Sequence, residues 1–102
     1  DIGLYYAALA IDDPDVLYQA ERLLAPLKDE DIRLTFRLYL EHNGSVQAAA
    51  QALFLHRNTV NYRIQKARRL LQIDASEKGL KYLFAFYLCD CLKLKEMDLL
   101  SP

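Results

Sequence analysis

The stretch SVQAAAQALFLHRNTVNYRIQKARRLL, residues 45–71, decides how the whole chain is read. It opens with an Ala-rich segment, passes a tight connection, and continues into a longer segment crowded with Arg, Asn and Tyr. No acidic residue occurs between Ser45 and Ile73, and Arg57, Arg63, Lys66, Arg68 and Arg69 all fall in the second half. Ser45 suits a helix cap, and Val46, Ala49, Ala50 and Leu53 recur at the spacing of one buried helical face. The spacing predicts a second helix from Arg57 to about Leu71. Two helices joined by a tight turn, the second basic and amide-rich, form the arrangement by which a helix-turn-helix enters the major groove.

The second helix divides by angle. At about 100° per residue, with Val60 as the buried direction, Ile64, Ala67 and Leu71 fall within about 40° of it. Asn58, Tyr62, Gln65 and Arg69 lie opposite, with Asn61 and Lys66 beside them. Amides match adenine edges, and Arg matches guanine or phosphate. The expected base readers are therefore Arg57, Asn58, Asn61, Tyr62 and Gln65. The expected phosphate partners are Ser45, Thr59, Arg63, Lys66 and Arg69. Arg57 and Arg63 sit about 60° to either side of the buried direction, where both would reach the groove walls. His56 stands where a Ser or Thr cap often sits, and reads as a cap rather than a base reader.

On either side, the chain reads as helices. Residues 3–10 form an apolar helix or its remnant. Asp13 and Pro14 suit a cap and a first helical position, opening a helix to about Leu24 with a stripe of Val16, Leu17, Ala20, Leu23 and Leu24. Asp29, Glu30 and Asp31 favour a helix N-terminus. The following residues alternate partly like a strand, but the charged start and the Asn43-Gly44 stop favour a helix. Asp74-x-x-Glu77 has the form of a capping box. It introduces a last helix carrying Leu80, Leu83, Phe84, Tyr87, Leu88, Cys91 and Leu92, with Tyr82 and Phe86 off that stripe. Such a helix is central to the core or half of a dimer interface. The expectation is an all-α domain of five or six helices around a helix-turn-helix. Residues 1–30 are an N-terminal helical segment, residues 31–96 the helix-turn-helix domain and residues 97–102 a frayed tail.

Composition narrows the function. A 53% hydrophobic content argues against disorder, and no apolar run is long enough for a membrane span. Net charge is −1 with a pI near 6.1, so there is no global signature for nucleic acid. The charge is uneven, however. Residues 1–31 hold Asp1, Asp12, Asp13, Asp15, Glu21, Asp29, Glu30 and Asp31 against Arg22 and Lys28, while the middle is basic. Cys89 and Cys91 are two apart and read as reduced core thiols. His42 and His56 lack a partner at metal-ligand spacing. No nucleophile–base set, carboxylate pair or phosphate cradle stands out, so neither catalysis nor a cofactor is expected.

Leu40 to Gly44, Ala49 to Val60 and Tyr62 to Ile64 together resemble the C-terminal helix-turn-helix domain of the PucR/CdaR family of bacterial transcriptional regulators. The HRNT-x-x-YR portion, His56 to Thr59 with Tyr62 and Arg63, is the most specific part. The likeness covers roughly residues 30–95, with LFAFYLCDCLKL as the family's following apolar helix. Asp1 to Tyr5 also looks like the segment preceding such domains. A more distant similarity is to the Fis-type helix-turn-helix, which commonly has Gly where this chain has Phe54. A non-Gly turn must avoid the left-handed region or accept strain. Phe fits the PucR/CdaR pattern, so it favours that family. The resemblance implies a cytoplasmic bacterial regulator that binds a double-stranded operator, with an effector-sensing region for a small molecule upstream of this chain. It also implies a homo-oligomer, for which the apolar helix in residues 76–95 is a candidate contact. The competing reading is a helical interaction or dimerisation module with a degenerate helix-turn-helix, supported by the neutral pI and the apolar last helix.

Overall fold

Four of the five described helices start at a capping side chain. In a computed structural model that describes Ala8 and residues 11–74, 76, 77 and 79–100, with side chains through Leu94, five helices are present. Helix α1, Pro14–Leu24, starts where Asp13 accepts the Asp15 N–H at 2.9 Å. Helix α2, Glu30–Glu41, is capped by Asp29, which accepts from the Asp31 and Ile32 N–H groups. In α3, Val46–Leu53, Ser45 Oγ accepts the Ala48 N–H at 3.1 Å. In α4, Arg57–Leu71, the cap is His56 Nδ1, which accepts the Asn58 N–H at 3.0 Å. Helix α5 is Leu80–Leu100. No strand occurs among the described residues, so the alternating stretch after Asp31 is helical, as its charged start required.

Three of these helices end by turning into the left-handed region without glycine: Asn43 (φ 56°), Phe54 (φ 56°) and Gln72 (φ 55°). After α3 the Leu55 N–H reaches back to the Ala50 carbonyl at 3.1 Å, and after α4 the Ile73 N–H reaches Arg68 at 2.9 Å. These bonds satisfy carbonyls that a helix end would otherwise leave unpaired. The open question at Phe54 is thereby settled: its backbone accepts the left-handed conformation.

Packing divides into two clusters joined by α2. The larger core gathers Leu17, Ala20 and Leu24 of α1, Ile32, Phe36 and Leu40 of α2, and an almost continuous run of α5 from Tyr82 to Cys89, with Cys91. The smaller one joins Ala49 and Ala50 of α3 to Val60 and Ile64 of α4, with Leu38 and Tyr39 of α2 packed against it. Helix α2 touches α3, α4 and α5, so it is the wall on which the helix-turn-helix is mounted. The Arg37 guanidinium pins that wall to α5. Its Nη1 donates to Asp90 Oδ1 at 3.0 Å and its Nη2 to Oδ2, while Nε donates to Glu41 at 3.1 Å. The Asp90 hydrogen bonds push the Arg37 pKa further above its ordinary value, so the guanidinium stays charged.

Several expectations change. The Asp74–Glu77 box starts no helix. Asp74 Oδ1 accepts from the Ser76 N–H and the Asp74 carbonyl from Glu77, closing a local turn. The helix begins only at Leu80, because Gly79 stands at φ +76°, outside helical space. A Cβ there would also lie 2.8 Å from Leu40 Cδ2, so a side chain at this bend would crowd α2. The expected 76–95 helix therefore starts later. It also runs on to Leu100, through most of the stretch assigned to a tail; residues 101 and 102 lie outside the described ones. Val16 and Leu80, placed in buried stripes, are 38% and 64% exposed. The expected boundary at residues 30 and 31 falls inside the larger core, which α1 shares with α2 and α5. The residue 3–10 segment lies outside the described residues apart from Ala8, which is helical and buried.

Candidate nucleic-acid interface

Helix α4 is built to be held on one side and open on the other. Val60, Ile64 and Ala67 are buried, and Leu71 packs partly against the larger core, as the angular reading predicts. Arg57, Asn58, Thr59, Asn61, Tyr62, Gln65 and Arg69 are exposed, and Lys66 is half-buried. Tyr62 keeps 59% of its surface open, so its ring as well as its hydroxyl faces outward. The exposed side presents amides, a phenol and cations with no carboxylate on the helix. Arg68 and Arg69 in its last turn also complement the negative end of the helix dipole.

The two flanking arginines differ. Arg57 is exposed at the start of α4. Arg63, equally far round the other way, is half-buried, and its Nη1 lies 3.4 Å from Thr35 Oγ1. Thr35 is fully buried on α2 and donates its own hydroxyl to the Asp31 carbonyl at 2.7 Å. The expected phosphate partner Arg63 thus faces the seam between α2 and α4, because α2 packs on that flank. Arg68, which had no assigned role, has its Nη2 on the Asp74 carbonyl at 2.9 Å and ties the end of α4 to the next loop. Neither contact had a sequence signal, since both depend on where other helices come to rest.

Ser45 is half-buried at the start of α3, with its oxygen accepting the cap bond and its hydroxyl hydrogen still able to donate. The outer face of α3 and the start of α4 share a shallow groove lined by Gln47, Ala50, Gln51, Phe54, His56 and Arg57. Phe54 stands 95% exposed at its edge. A second, wider groove between α2, α4 and the loop before α5 includes both Glu41 and Glu77, a mixed charge that does not suit a polyanion. Among the described residues no three His, Cys, Asp or Glu side chains gather to hold a metal ion. No described helix is long and apolar enough to cross a membrane. Both cysteines are reduced and buried, and burial pushes the Cys89 thiol pKa up.

The sequence model of the PucR C-terminal helix-turn-helix domain matches residues 32–88, from the start of α2 into α5. The chain belongs to that family. It is a DNA-binding domain of the kind found in PucR/CdaR transcriptional regulators. It is 31% identical over 83 residues to the proline-responsive transcriptional activator PutR of Bacillus subtilis, covering 74% of this chain and 20% of PutR. It is 34% identical over 65 residues to the DNA-binding transcriptional activator AdeR of the same organism, covering 64% of this chain and 14% of AdeR. With the carbohydrate diacid regulator of Escherichia coli it shares 39% identity over 57 residues, covering 52% of this chain and 15% of that protein. The chain spans between 14% and 35% of the length of the curated relatives it matches. No solved structure matches it.

Proposed function

We propose that α4 lies in the major groove of an operator, with Arg57, Asn58, Asn61, Tyr62 and Gln65 at base edges. Ser45, Thr59, Lys66 and Arg69 would hold phosphates. Arg63 acts mainly as a brace that fixes the pitch of α4 against α2 through Thr35. The observation that carries this reading is the division of α4: one face is locked into two cores, and the acid-free opposite face is left to solvent. Phosphate contacts then set register, and amides and Arg57 discriminate sequence. The domain contributes binding rather than catalysis, in the bacterial cytoplasm where its operator is.

The full regulator is proposed to carry an effector-sensing region upstream of this chain and to read two half-sites as a homo-oligomer. The competing interaction-module reading loses its main support, because α1 and α2 of the same chain cover most of the apolar surface of α5. Among its described large apolar side chains only Leu80 and Leu94 are exposed, which supports a homo-oligomer contact at the ends of α5 rather than at its middle.

The test is a binding titration on duplexes selected by the wild-type chain from a random pool. Asn58→Ala should weaken selected duplexes by about tenfold and leave unselected DNA unchanged. Lys66→Ala should weaken both and lower the slope of log affinity against log salt by about 0.9. Wild-type binding by both variants would refute the assignment of α4 as reader.

A further inference from the structure

Phe54 is the most exposed large apolar side chain among the described residues, and it stands at the joint of the helix-turn-helix. Its backbone is left-handed, a conformation that Gly adopts freely and a side chain does not. Neither hydrophobic cluster includes the ring, so packing within the free chain does not account for it. Local strain of this kind persists where a residue has work outside the free fold.

The surroundings of the ring select its occupant. Phe54 edges the shallow groove between α3 and the start of α4, which it shares with Gln47, Gln51 and Arg57. Gln47 and Gln51 lie about one turn apart on α3, and both are exposed. No acidic residue lines this groove, and none occurs from Ser45 to Ile73. Leu80, the next most exposed large apolar side chain, opens instead on the groove that holds Glu41 and Glu77. A cation, two amides and an aromatic ring without a carboxylate suit a polyanion that also offers apolar atoms. A DNA duplex is such a partner. In its major groove the thymine C5 methyl stands beside edges that bond amides and Arg, and Phe is among the side chains that meet it. The groove is continuous with the reading helix, because Arg57 belongs to both. We infer that Phe54 reads a thymine methyl of the operator, close to the base that Arg57 contacts. This rests on α4 being the reading helix. It adds a specificity determinant that no helical wheel contains, since Phe54 lies between the two helices.

The experiment uses the duplex selected by the wild-type chain. Each thymine is replaced in turn by deoxyuridine, which removes the C5 methyl and keeps every hydrogen-bonding group. Wild type and Phe54→Ala are titrated on the whole set, with thermal melts to show that the variant is folded. At one position uracil should weaken the wild type by about fourfold, the effect of burying one methyl less. There Phe54→Ala should bind the thymine and uracil duplexes equally, because ring and methyl form a single contact. On the selected duplex the variant should bind at least about fourfold more weakly than wild type. A wild type indifferent to uracil at every thymine overturns the inference. A Phe54→Ala variant that keeps the full uracil response overturns it too, even if it binds more weakly throughout: the ring then meets a sugar or a second copy of the chain. If Asn58→Ala and Lys66→Ala also bind like wild type, the reading of α4 has failed and this inference with it. If they weaken binding while the uracil scan is flat, only the Phe54 inference has failed.

Discussion

Replacing Phe54 by Gly should make the free domain more stable, although it deletes the most exposed large apolar side chain among the described residues. Phe54 occupies φ 56°, ψ 40° at the end of α3. A side chain in this left-handed conformation costs about 1–2 kcal/mol, which Gly does not incur. Gly in turn adds freedom to the unfolded chain, which offsets about 0.4–1 kcal/mol. Usually lost packing would decide the balance, but here the ring is 95% exposed and contributes little to the core. The hydrophobic contact that closes the turn comes instead from Leu55, which packs partly against the α3–α4 cluster. The net gain is about 0.5–1 kcal/mol, or roughly 2–8 °C in melting temperature for a domain of this size. Phe54→Ala keeps the strained φ and should change stability by less than about 0.5 kcal/mol. Thermal melts followed by far-ultraviolet circular dichroism on both variants separate the backbone effect from the side-chain effect. A Gly variant that melts at or below the wild type would refute the strain argument. An Ala variant that loses more than about 1 kcal/mol would show that the ring packs in the free protein.

Other consequences follow from the same contacts. Gly79→Ala should cost about 1–2 kcal/mol or more, because φ +76° disfavours any side chain and the new Cβ meets Leu40 Cδ2 at 2.8 Å; a urea midpoint series measures it. Asp90→Ala should cost about 1 kcal/mol, since the fork to Arg37 is well formed but partly solvated. Arg37→Ala should cost more than Asp90→Ala, because it also removes the guanidinium from Phe86 (5.8 Å) and Tyr87 (5.7 Å); chemical denaturation of both variants checks the order. Burial raises the Cys89 thiol, so the folded chain holds that proton to higher pH than the unfolded chain does. Its contribution is complete below the ordinary thiol value of 9.0 and is lost as pH rises through the folded value. Cys89→Ala should accordingly flatten the fall in stability above pH 9.0, read from denaturation midpoints at stepped alkaline pH.

The helix starts were legible because their determinants are local. Asp13, Asp29, Ser45 and His56 each cap a helix through a bond no more than three residues away. The start of α5 was not legible for the opposite reason. Asp74 and Glu77 carry a capping pattern, but Gly79 bends the chain at φ +76° beside Leu40, which is distant in sequence. The same distinction governs the apolar stripes. Val60, Ile64 and Ala67 are buried because their neighbours α2 and α3 adjoin α4 closely in the chain. Val16 and Leu80 sit at the margins of their stripes, and only the final placement of α1 against α5 leaves them outside.

The interface shows how far angular reasoning reaches. Arg57 and Arg63 lie at equal angles from the buried direction, and a wheel assigns them the same role. The structure breaks that symmetry with one residue of α2. Thr35 is fully buried, and its hydroxyl both donates to Asp31 and lies within 3.4 Å of Arg63 Nη1. A Val at that position would fill the same space without offering an oxygen to the guanidinium. The pattern of α2 reads Thr35 merely as a small residue on a half-buried face, so its sequence does not disclose a partner on α4. What a wheel supplies is the direction of a side chain from its own axis. Whether that direction ends in solvent or in a neighbour depends on which flank the neighbour occupies. Here α2 occupies the Arg63 flank, so the two arginines divide into one left exposed to solvent and one that braces α4 against α2.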